Sequence, residues 1–444
     1  MNQFAIRREK LIAHMQALGG GVAIIPTAPE AMRNADADYP YRHDSYFYYL
    51  SGFTEPEAVL VLVAGHAASQ SILFCREKNL EREIWDGYRH GPEAARGKFG
   101  FDAAYPIDAL DGEIPRLLAN APAVFYALGR EARLDRQVRK WLGEVRMQGR
   151  AGIAAPAQAY DVRMVLDEMR LFKDAEEIAV MRRAAQISAA AHARAMRTAR
   201  PGQREYQLEA ELLHEFRRNG SQFPAYTSIV ATGPNACVLH YRAGDAVLQD
   251  GDLVLIDAGC ELDGYASDIT RTFPANGVFS GPQKALYEIV LAAQEAAIAA
   301  TGPDRRFTDG HDAAVRVLAQ GMLDTGLLDT NKVGGVDDVI AKGDYRQFYM
   351  HRTGHWLGMD VHDVGEYRDR DAPGPDKPWR TLRPGMVLTV EPGIYVRPAE
   401  GVPEAYWNIG IRIEDDALVT ADGCELITAD APKSVAEIEA IMRQ

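Results

Sequence analysis

The chain has no apolar run long enough to cross a bilayer, because polar residues interrupt every hydrophobic stretch well before the roughly 20 residues that a membrane helix needs. Its first residues, MNQFAIRREKLIAHMQ, are charged throughout and lack the apolar centre of a signal peptide. Cysteine is scarce, and Cys75, Cys237, Cys260 and Cys424 are scattered without metal-ligand spacing. The sequence therefore predicts a cytoplasmic protein with free thiols and no membrane partner.

Positive charge is also in short supply. Lysine and arginine together number 49 against 63 aspartates and glutamates, which gives a net charge of -14. That sign disfavours nucleic acid and anionic membranes as partners. The 444 residues, 47% of them hydrophobic, predict a globular protein of two or three domains with ample room for a core.

The most informative stretch is residues 252–273, DLVLIDAGCELDGYASDITRTF. Its apolar, β-branched beginning predicts a buried strand, and Asp263-Gly264 predicts a hairpin turn. With that turn at the centre, Asp257 faces Thr270 and Asp268 shares the same face, so the two carboxylates are diagonal neighbours about 7–8 Å apart at Cβ. Two such buried carboxylates repel unless one is protonated or a cation lies between them. Two solvated aspartates near a turn would fit this spacing as well.

Two later runs favour the metal interpretation. MVLTVEPGIY, residues 386–395, predicts a strand that carries Glu391, and IGIRIEDDALVT, residues 409–420, predicts one with Glu414 at its centre and Arg412 on the same face. The segment HRTGHWLGMDVHDVG precedes both and contains three histidines: His351, His355 and His362. Because buried carboxylates are costly unless paired or metal-bound, the joint pattern predicts a metal site.

The pattern of elements predicts two domains. Strand-like and helical segments alternate up to about Leu142, which indicates a small α/β domain at the N-terminus. A helix then begins after Asp174, a plausible N-cap with Glu177 three residues further on, and continues to about Thr198. We therefore expect an N-terminal α/β domain over residues 1–172 and a second domain over residues 173–444.

Four strings together resemble aminopeptidase P (Xaa-Pro aminopeptidase), a pita-bread metallopeptidase related to prolidase, creatinase and methionine aminopeptidase. They are LIDAGCELDGYASDITRTFP, HWLGMDVHDVG, MVLTVEPGIY and NIGIRIEDD. The strings YFYYLSGFTEPEAVLVLV and EIWDGYRHG are similar to the family's N-terminal domain, which methionine aminopeptidase lacks. The resemblance implies an α+β protein in which a smaller α/β domain, used for oligomerisation and substrate access, precedes a catalytic pita-bread (creatinase/aminopeptidase) fold.

The resemblance also implies a dinuclear metal centre. Its ligands would be Asp257, Asp268, His355, Glu391 and Glu414. Asp268 and Glu414 would bridge the ions, with Asp257 on one ion and His355 and Glu391 on the other. This oxygen-rich set favours Mn²⁺, with Zn²⁺ and Co²⁺ as alternatives. The activated hydroxide would attack the scissile carbonyl, Glu391 would accept the water proton, and Arg412 would orient a ligand carboxylate.

Further residues are candidates for contacts with the substrate. His240, in an LHY context, and His362 are expected to stabilise the tetrahedral intermediate and assist proton transfer to the proline nitrogen. His351 is expected to line the pocket for the residue after proline. The resemblance implies substrate contacts for Trp85 and Arg163, with Trp85 reaching a neighbouring subunit of a homodimer or homotetramer. Ordinary packing or surface roles are the alternatives for His240, His351 and Trp85.

The predicted function is release of the N-terminal residue from peptides that have proline in the second position. Prolidase, which cleaves only dipeptides, is the main alternative. A non-catalytic pita-bread module that binds peptides is less favoured because all five ligand positions are filled. A creatinase-like amidinohydrolase is less favoured because the motif contexts match the peptidase better.

Overall fold

The computed structural model describes residues 2–65 and 68–444. The chain divides into two compact units, Met1–Asp167 and Glu168–Gln444. The division that we predicted from sequence, between residues 172 and 173, lies a few residues later. Among the described residues, no helix combines the length and the apolar character that a membrane crossing requires.

The first unit contains a mixed α/β arrangement. Its strands are β1 (Gly21–Pro26), β2 (Met32–Asn34), β3 (Ala37–Asp38), β4 (Val59–Ala64), β5 (Ser69–Cys75), β6 (Ala103–Pro106), β7 (Ala123–Tyr126) and β8 (Gln158–Asp161). Its helices are α1 (Gln3–Ala17), α2 (Ser45–Ser51), α3 (Leu80–Asp86), α4 (Gly91–Phe99), α5 (Leu110–Leu118) and α6 (Ala132–Arg146), and α7 (Arg163–Leu171) follows β8.

A sheet with the order β6-β5-β4-β1-β7-β8 forms the centre of this unit. The β1–β4 and β4–β5 pairs are antiparallel, whereas β5–β6, β1–β7 and β7–β8 are parallel. Alternate residues of β1, including Val22 and Ile24, pack against Leu118 of α5 and Trp141 of α6. Because these apolar runs are buried, the sheet and its helices share one core.

The second unit is built from helix pairs and short strands. Its helices are α8 (Ala175–Thr198), α9 (Glu205–Arg218), α10 (Gly281–Ala299), α11 (Asp309–Asp324), α12 (Thr330–Val333), α13 (Val336–Lys342) and α14 (Val435–Met442). Its strands are β9 (Phe223–Pro224), β10 (Ile229–Thr232), β11 (Leu253–Asp257), β12 (Cys260–Leu262), β13 (Tyr265–Ala266), β14 (Thr270–Pro274), β15 (Val387–Val390), β16 (Gly393–Val396), β17 (Ile409–Arg412), β18 (Asp415–Val419) and β19 (Cys424–Leu426).

Helix α8 begins as predicted. The Asp174 carboxylate accepts hydrogen bonds from the backbone N–H groups of Glu176 and Glu177, and the Glu177 carboxylate accepts one from the Asp174 N–H. These bonds satisfy donors that a helix start leaves without partners. Helices α8 and α9 pack together, as do α10 and α11, and each pair precedes a group of strands along the chain.

The predicted hairpin is present, with one difference. Asp263 and Gly264 have positive φ angles of 48° and 80°, as a tight two-residue hairpin turn requires, and Asp257 pairs with Thr270. The two arms are interrupted, however, so that β11 and β14 pair in one sheet while β12 and β13 pair in another. At the interruption, a Cβ on Gly259 would lie 1.7 Å from the Ser267 carbonyl oxygen, so only glycine fits there.

The two later strand predictions were wrong, because each predicted strand is in fact two strands separated at its acidic residue. Glu391 does not lie within one strand but between β15 and β16, and Glu414 lies between β17 and β18 rather than at a strand centre. Strand β15 pairs with β18, and β16 pairs with β17, in separate sheets. Pro392 follows Glu391 and lacks the N–H that a continuous ladder would need. Both acids therefore lie where the chain passes from one sheet to another.

Candidate metal centre

Carboxylates from four strand ends meet in the second unit. Asp257 ends β11, Asp268 precedes β14, Glu391 follows β15 and Glu414 precedes β18. His355 comes from the segment beside β15, where its backbone N–H donates to the Thr389 hydroxyl and its carbonyl accepts from the Thr389 N–H. The interruptions of the strands thus bring residues from distant parts of the chain to one point.

The ligand atoms of this group are close together. One atom from each of Asp268, His355 and Glu414 lies within 4.8 Å of the other two. His355 Nε2 is 3.5 Å from Asp268 Oδ2 and 3.8 Å from Glu391 Oε1. Asp257 joins the group through the Tyr226 hydroxyl, which lies 2.6 Å from Asp257 Oδ1 and also contacts Asp268 Oδ1. The structure therefore brings together all five residues that were predicted as ligands.

The carboxylates strongly perturb one another. Burial raises the pKa of Glu414 well above its usual value, and repulsion from Asp268, Glu391 and Asp257 raises it further. Burial is also the main cause that raises the pKa of Asp268, and it raises the pKa of Glu391 to about 7. A divalent cation among these groups would relieve both the repulsion and the cost of burial.

The imidazole of His355 is oriented for a ligand role. Its Nδ1–H donates to the Trp356 carbonyl oxygen over 3.0 Å, which leaves Nε2 facing the acids. Burial alone would lower the pKa of His355, but the hydrogen bond to Asp268 and the charges of Glu391 and Asp268 raise it to about 9. A cation bound at Nε2 would take the place of that proton. Four carboxylates and one such imidazole form a donor set suited to hard or borderline divalent ions.

Arg412 connects this group to the neighbouring strands by hydrogen bonds. Its Nη2 donates to Asp257 Oδ2 over 2.6 Å, its Nε donates to Thr270 Oγ1 over 3.1 Å, and its Nη1 donates to the Tyr395 hydroxyl over 2.9 Å. The Thr270 hydroxyl in turn donates to Glu414 Oε2 over 2.5 Å. The guanidinium thus orients Asp257 directly and Glu414 through one threonine.

Three further histidines interact with the carboxylates or with one another. His351 accepts at Nε2 from the Tyr395 hydroxyl and donates from Nδ1 to the Arg352 carbonyl, each over 2.8 Å, and burial is the main cause that lowers its pKa to about 4. His362 stacks on His355 with 4.0 Å between ring centroids. His240 is exposed, and its charge contributes to lowering the pKa of both His351 and His362.

Two supporting residues were not predicted from the sequence. Tyr226 precedes β10, and it reaches the acids only because β10 pairs with β11, which places Ile229 opposite Asp257. Arg271 is buried, and all five of its N–H donors have acceptors. The acceptors are the carboxylate of Asp415 and the backbone carbonyls of Thr270, Glu414, Ala431 and Pro432. The alternation of β14 signals that Arg271 faces away from Thr270, but it does not signal that this face is also buried.

Two predicted substrate residues lie in the first unit. Trp85 is on α3 and is 83% exposed. Arg163 begins α7, and its guanidinium contacts the Asp161 carboxylate and donates to the Leu128 carbonyl over 2.8 Å. The structure therefore gives Arg163 partners within its own unit, and substrate contacts for both residues stay predictions.

Comparisons with known proteins agree with this geometry. The family model of metallopeptidase family M24 matches residues 179–421, and the model of the aminopeptidase P N-terminal domain matches residues 4–126. The chain is 47% identical to Xaa-Pro aminopeptidase of Escherichia coli (strain K12), over 99% of this chain and 97% of that protein. The solved structure of Pseudomonas aeruginosa aminopeptidase PepP has a TM-score of 0.95 and 51% identity, over 99% of this chain and 97% of that one. A variant of E. coli aminopeptidase P, solved in complex with substrate, has a TM-score of 0.94 and 46% identity, over 99% and 98% of the two chains.

Proposed function

The chain belongs to metallopeptidase family M24, with an aminopeptidase P N-terminal domain before its pita-bread domain, and we propose that it is an Xaa-Pro aminopeptidase. It releases the N-terminal residue from peptides that have proline in the second position. The observation that carries this proposal is the convergence of four carboxylates and His355 at strand ends, in a chain that is similar to Xaa-Pro aminopeptidases over almost its whole length. Catalysis is assigned to the second unit, and subunit contacts and substrate access to the first.

Five residues would hold two divalent ions. Asp268 and Glu414 would be shared by the two ions, which fits the separation of at most 4.8 Å between one ligand atom of each. Asp257 is assigned to one ion, and His355 and Glu391 are assigned to the other. When bound, the ions supply a hydroxide nucleophile near neutral pH and polarise the scissile carbonyl. Mn²⁺ is the favoured metal because oxygen ligands predominate, and Zn²⁺ and Co²⁺ are the alternatives.

The other residues orient groups and move protons. Glu391 accepts the proton of the attacking water and passes it on, and Arg412 donates a hydrogen bond to Asp257 that orients this carboxylate toward the site. The substrate's α-amine binds at the Asp257 side, which places the cut one residue from the N-terminus. The scissile nitrogen of an Xaa-Pro bond has no N–H and must gain a proton to leave as an amine. His240 and His362 stabilise the tetrahedral intermediate and assist that transfer.

The remaining assignments concern the surroundings of the substrate. His351 lines the pocket for the residue after proline, with its ring held by Tyr395. Trp85 and Arg163 contribute further substrate contacts, with Trp85 acting across the interface of a homodimer or homotetramer. The exposed apolar surface of α3 and the residues after it supports such an interface, because Ile84, Trp85 and Tyr88 are 81%, 83% and 92% exposed. The four cysteines are free thiols, which supports the assignment to the cytoplasm.

A small peptide panel tests the proposed activity. Protein stripped with EDTA and reloaded with Mn²⁺ should release alanine from Ala-Pro-Ala but not from Ala-Ala-Ala. A prolidase would cleave Ala-Pro and leave Ala-Pro-Ala intact, and a binding module would cleave neither. Parallel assays with the Asp268→Ala variant control for contaminating peptidases.

A second experiment tests the metal. Stripped protein reloaded separately with Mn²⁺, Zn²⁺ and Co²⁺ should bind two ions per chain and hydrolyse Ala-Pro-Ala fastest with Mn²⁺. A stoichiometry of one ion per chain would contradict the bridging roles of Asp268 and Glu414. A higher rate with zinc than with manganese would contradict the choice of metal only.

A further inference from the structure

A buried carboxylate outside the metal centre holds the segment that carries His240. Glu205 is the first residue of α9, and its side chain is 0% exposed. Its Oε1 accepts hydrogen bonds from the Thr232 N–H and from Asn235 Nδ2, both over 2.9 Å. Its Oε2 accepts from the Tyr241 hydroxyl over 2.9 Å and from the Gly244 N–H over 3.1 Å. A carboxylate has about four lone-pair sites, and a neutral donor fills each of them.

All four donors belong to one stretch of chain. Residues 232–244 begin at the last residue of β10, pass through the 3-10 turn Gly233–Cys237 and contain His240; we call them the His240 loop. The backbone of α9 adds to the attachment, because the Glu205 and Tyr206 N–H groups donate to the carbonyls of Ala246 and Gly244, each over 3.1 Å. Glu205 therefore binds the loop at its beginning, directly after His240 and at its end.

The opposite side of the His240 loop packs on the strands of the site. Arg397 Nη2 donates to the Cys237 carbonyl over 2.6 Å, and Ala236 and Cys237 share a small apolar cluster with Tyr395. A Cβ on Gly410 would lie 2.3 Å from the Ala236 carbonyl oxygen, so the loop and β17 approach as closely as glycine permits. The loop is thus fixed between the start of α9 and the strands that carry Tyr395 and Arg412.

His240 needs such a support. Its own side chain is exposed, so packing of the ring does not set its position. Tyr241 is the next residue, and its hydroxyl bonds both Glu205 and Asn235. A displacement of about 1 Å in a catalytic group can lower a rate about a hundredfold.

We propose that Glu205 is a positioning residue for His240, acting through the hydrogen bonds that it accepts from the His240 loop; this rests on the proposed function of His240. The simpler explanation is that Glu205 only stabilises the fold, as an acid in the first turn of a helix often does. A purely stabilising role would lower the thermal midpoint without changing the turnover of the folded enzyme. A positioning role would lower kcat in an enzyme that stays folded and metal-loaded.

The test is a double-mutant cycle of Glu205→Gln and His240→Ala in the metal-loaded full-length protein. Glutamine keeps the shape of the side chain but presents an NH₂ group to two of the four donors. Glu205→Gln should lower kcat on Ala-Pro-Ala by about 10- to 100-fold with unchanged metal content, by analogy with groups that orient metal ligands. In the His240→Ala background the same change should cost less than about threefold. Glu209→Gln, one turn further along α9, removes the same charge and should leave kcat unchanged.

Two kinetic results would overturn the proposal. One is an unchanged kcat in Glu205→Gln. The other is a double variant whose loss of kcat equals the product of the losses in the two single variants. If Glu205→Gln does not fold, Tyr241→Phe is the substitute, because it removes one of the four hydrogen bonds and keeps the ring. Tyr241→Phe should lower kcat by a smaller factor, and that loss should also be reduced in the His240→Ala background.

A readout that does not need activity separates this proposal from the proposed function. In zinc-loaded protein with ¹⁵N-labelled histidine, the ring signals of His240 are identified by their loss in His240→Ala. Glu205→Gln should shift those signals and leave the signals of His14 in place. If the wild-type enzyme fails to cleave Ala-Pro-Ala, the proposed function fails, and the shift of the His240 signals still decides whether Glu205 positions that residue. Unchanged His240 signals would refute the positioning role.

Discussion

Tyr226→Phe is the variant that tests the geometry of the metal centre most directly. The Tyr226 hydroxyl contacts both Asp257 and Asp268, which the proposed function assigns as ligands. Burial, together with the charges of those two carboxylates, raises the pKa of Tyr226 well above its usual value, so the hydroxyl remains a donor at neutral pH. Its single proton is therefore shared between two acids that would otherwise repel.

The expected loss follows from that single proton. A hydrogen bond to a charged acceptor contributes about 1.5–3 kcal/mol, and only one such bond can be made at a time. Every 1.4 kcal/mol corresponds to about tenfold in a binding constant, so loss of the hydroxyl should weaken metal binding about 10- to 100-fold. The physical reason is that the two carboxylates separate in the metal-free variant and must be brought together again when metal binds.

The assay is titration of EDTA-stripped protein with Mn²⁺ in competition with a chelating dye. Tyr265→Phe is the matched control, because its hydroxyl also donates to a buried carboxylate, that of Glu177, over 2.8 Å, but this acid is not among the predicted ligands. The control should keep the wild-type metal affinity even if its stability falls. Equal affinities for wild type and Tyr226→Phe, or tighter binding by the variant, would refute the reasoning.

Three other variants test separate parts of the site. Asp268→Ala should remove both ions and leave the chain folded, as measured by elemental analysis and circular dichroism; full metal content would disprove a bridging role. His362→Ala should lower turnover with both ions retained, and unchanged hydrolysis of Ala-Pro-Ala would remove His362 from the mechanism. Burial lowers the pKa of His192 to about 4, below its unfolded value of 6.5, so its neutral form is favoured in the fold. Stability should therefore be lost as the pH falls from about 6.5 to 4, by up to about 3 kcal/mol. In urea titrations of metal-free protein, His192→Gln, which can still donate to the Ala258 carbonyl, should lose less free energy of unfolding over that pH range than the wild type. Equal losses would contradict the contribution assigned to His192.

Local patterns were reliable where their causes are local. The Asp263-Gly264 turn and the Asp174–Glu177 capping box depend on residues within a few positions of each other, and both are present. The break after Glu391 had a signal in the sequence, because Pro392 cannot donate to a strand ladder. The break before Glu414 had no such signal, since the run IGIRIEDDALVT is continuous in its apolar character.

The sequence by itself determined the family, the capped helix, the hairpin turn, and the four acids and one histidine that we propose as ligands. Only the tertiary structure decided that Glu391 and Glu414 lie where strands change sheets, that Tyr226 shares its proton between Asp257 and Asp268, and that Glu205 holds the His240 loop. The physical reason is one of range. Turns and helix caps are set by neighbours along the chain, whereas a hydrogen bond between residues far apart in sequence depends on a few tenths of an ångström that only the pairing of distant strands and helices establishes.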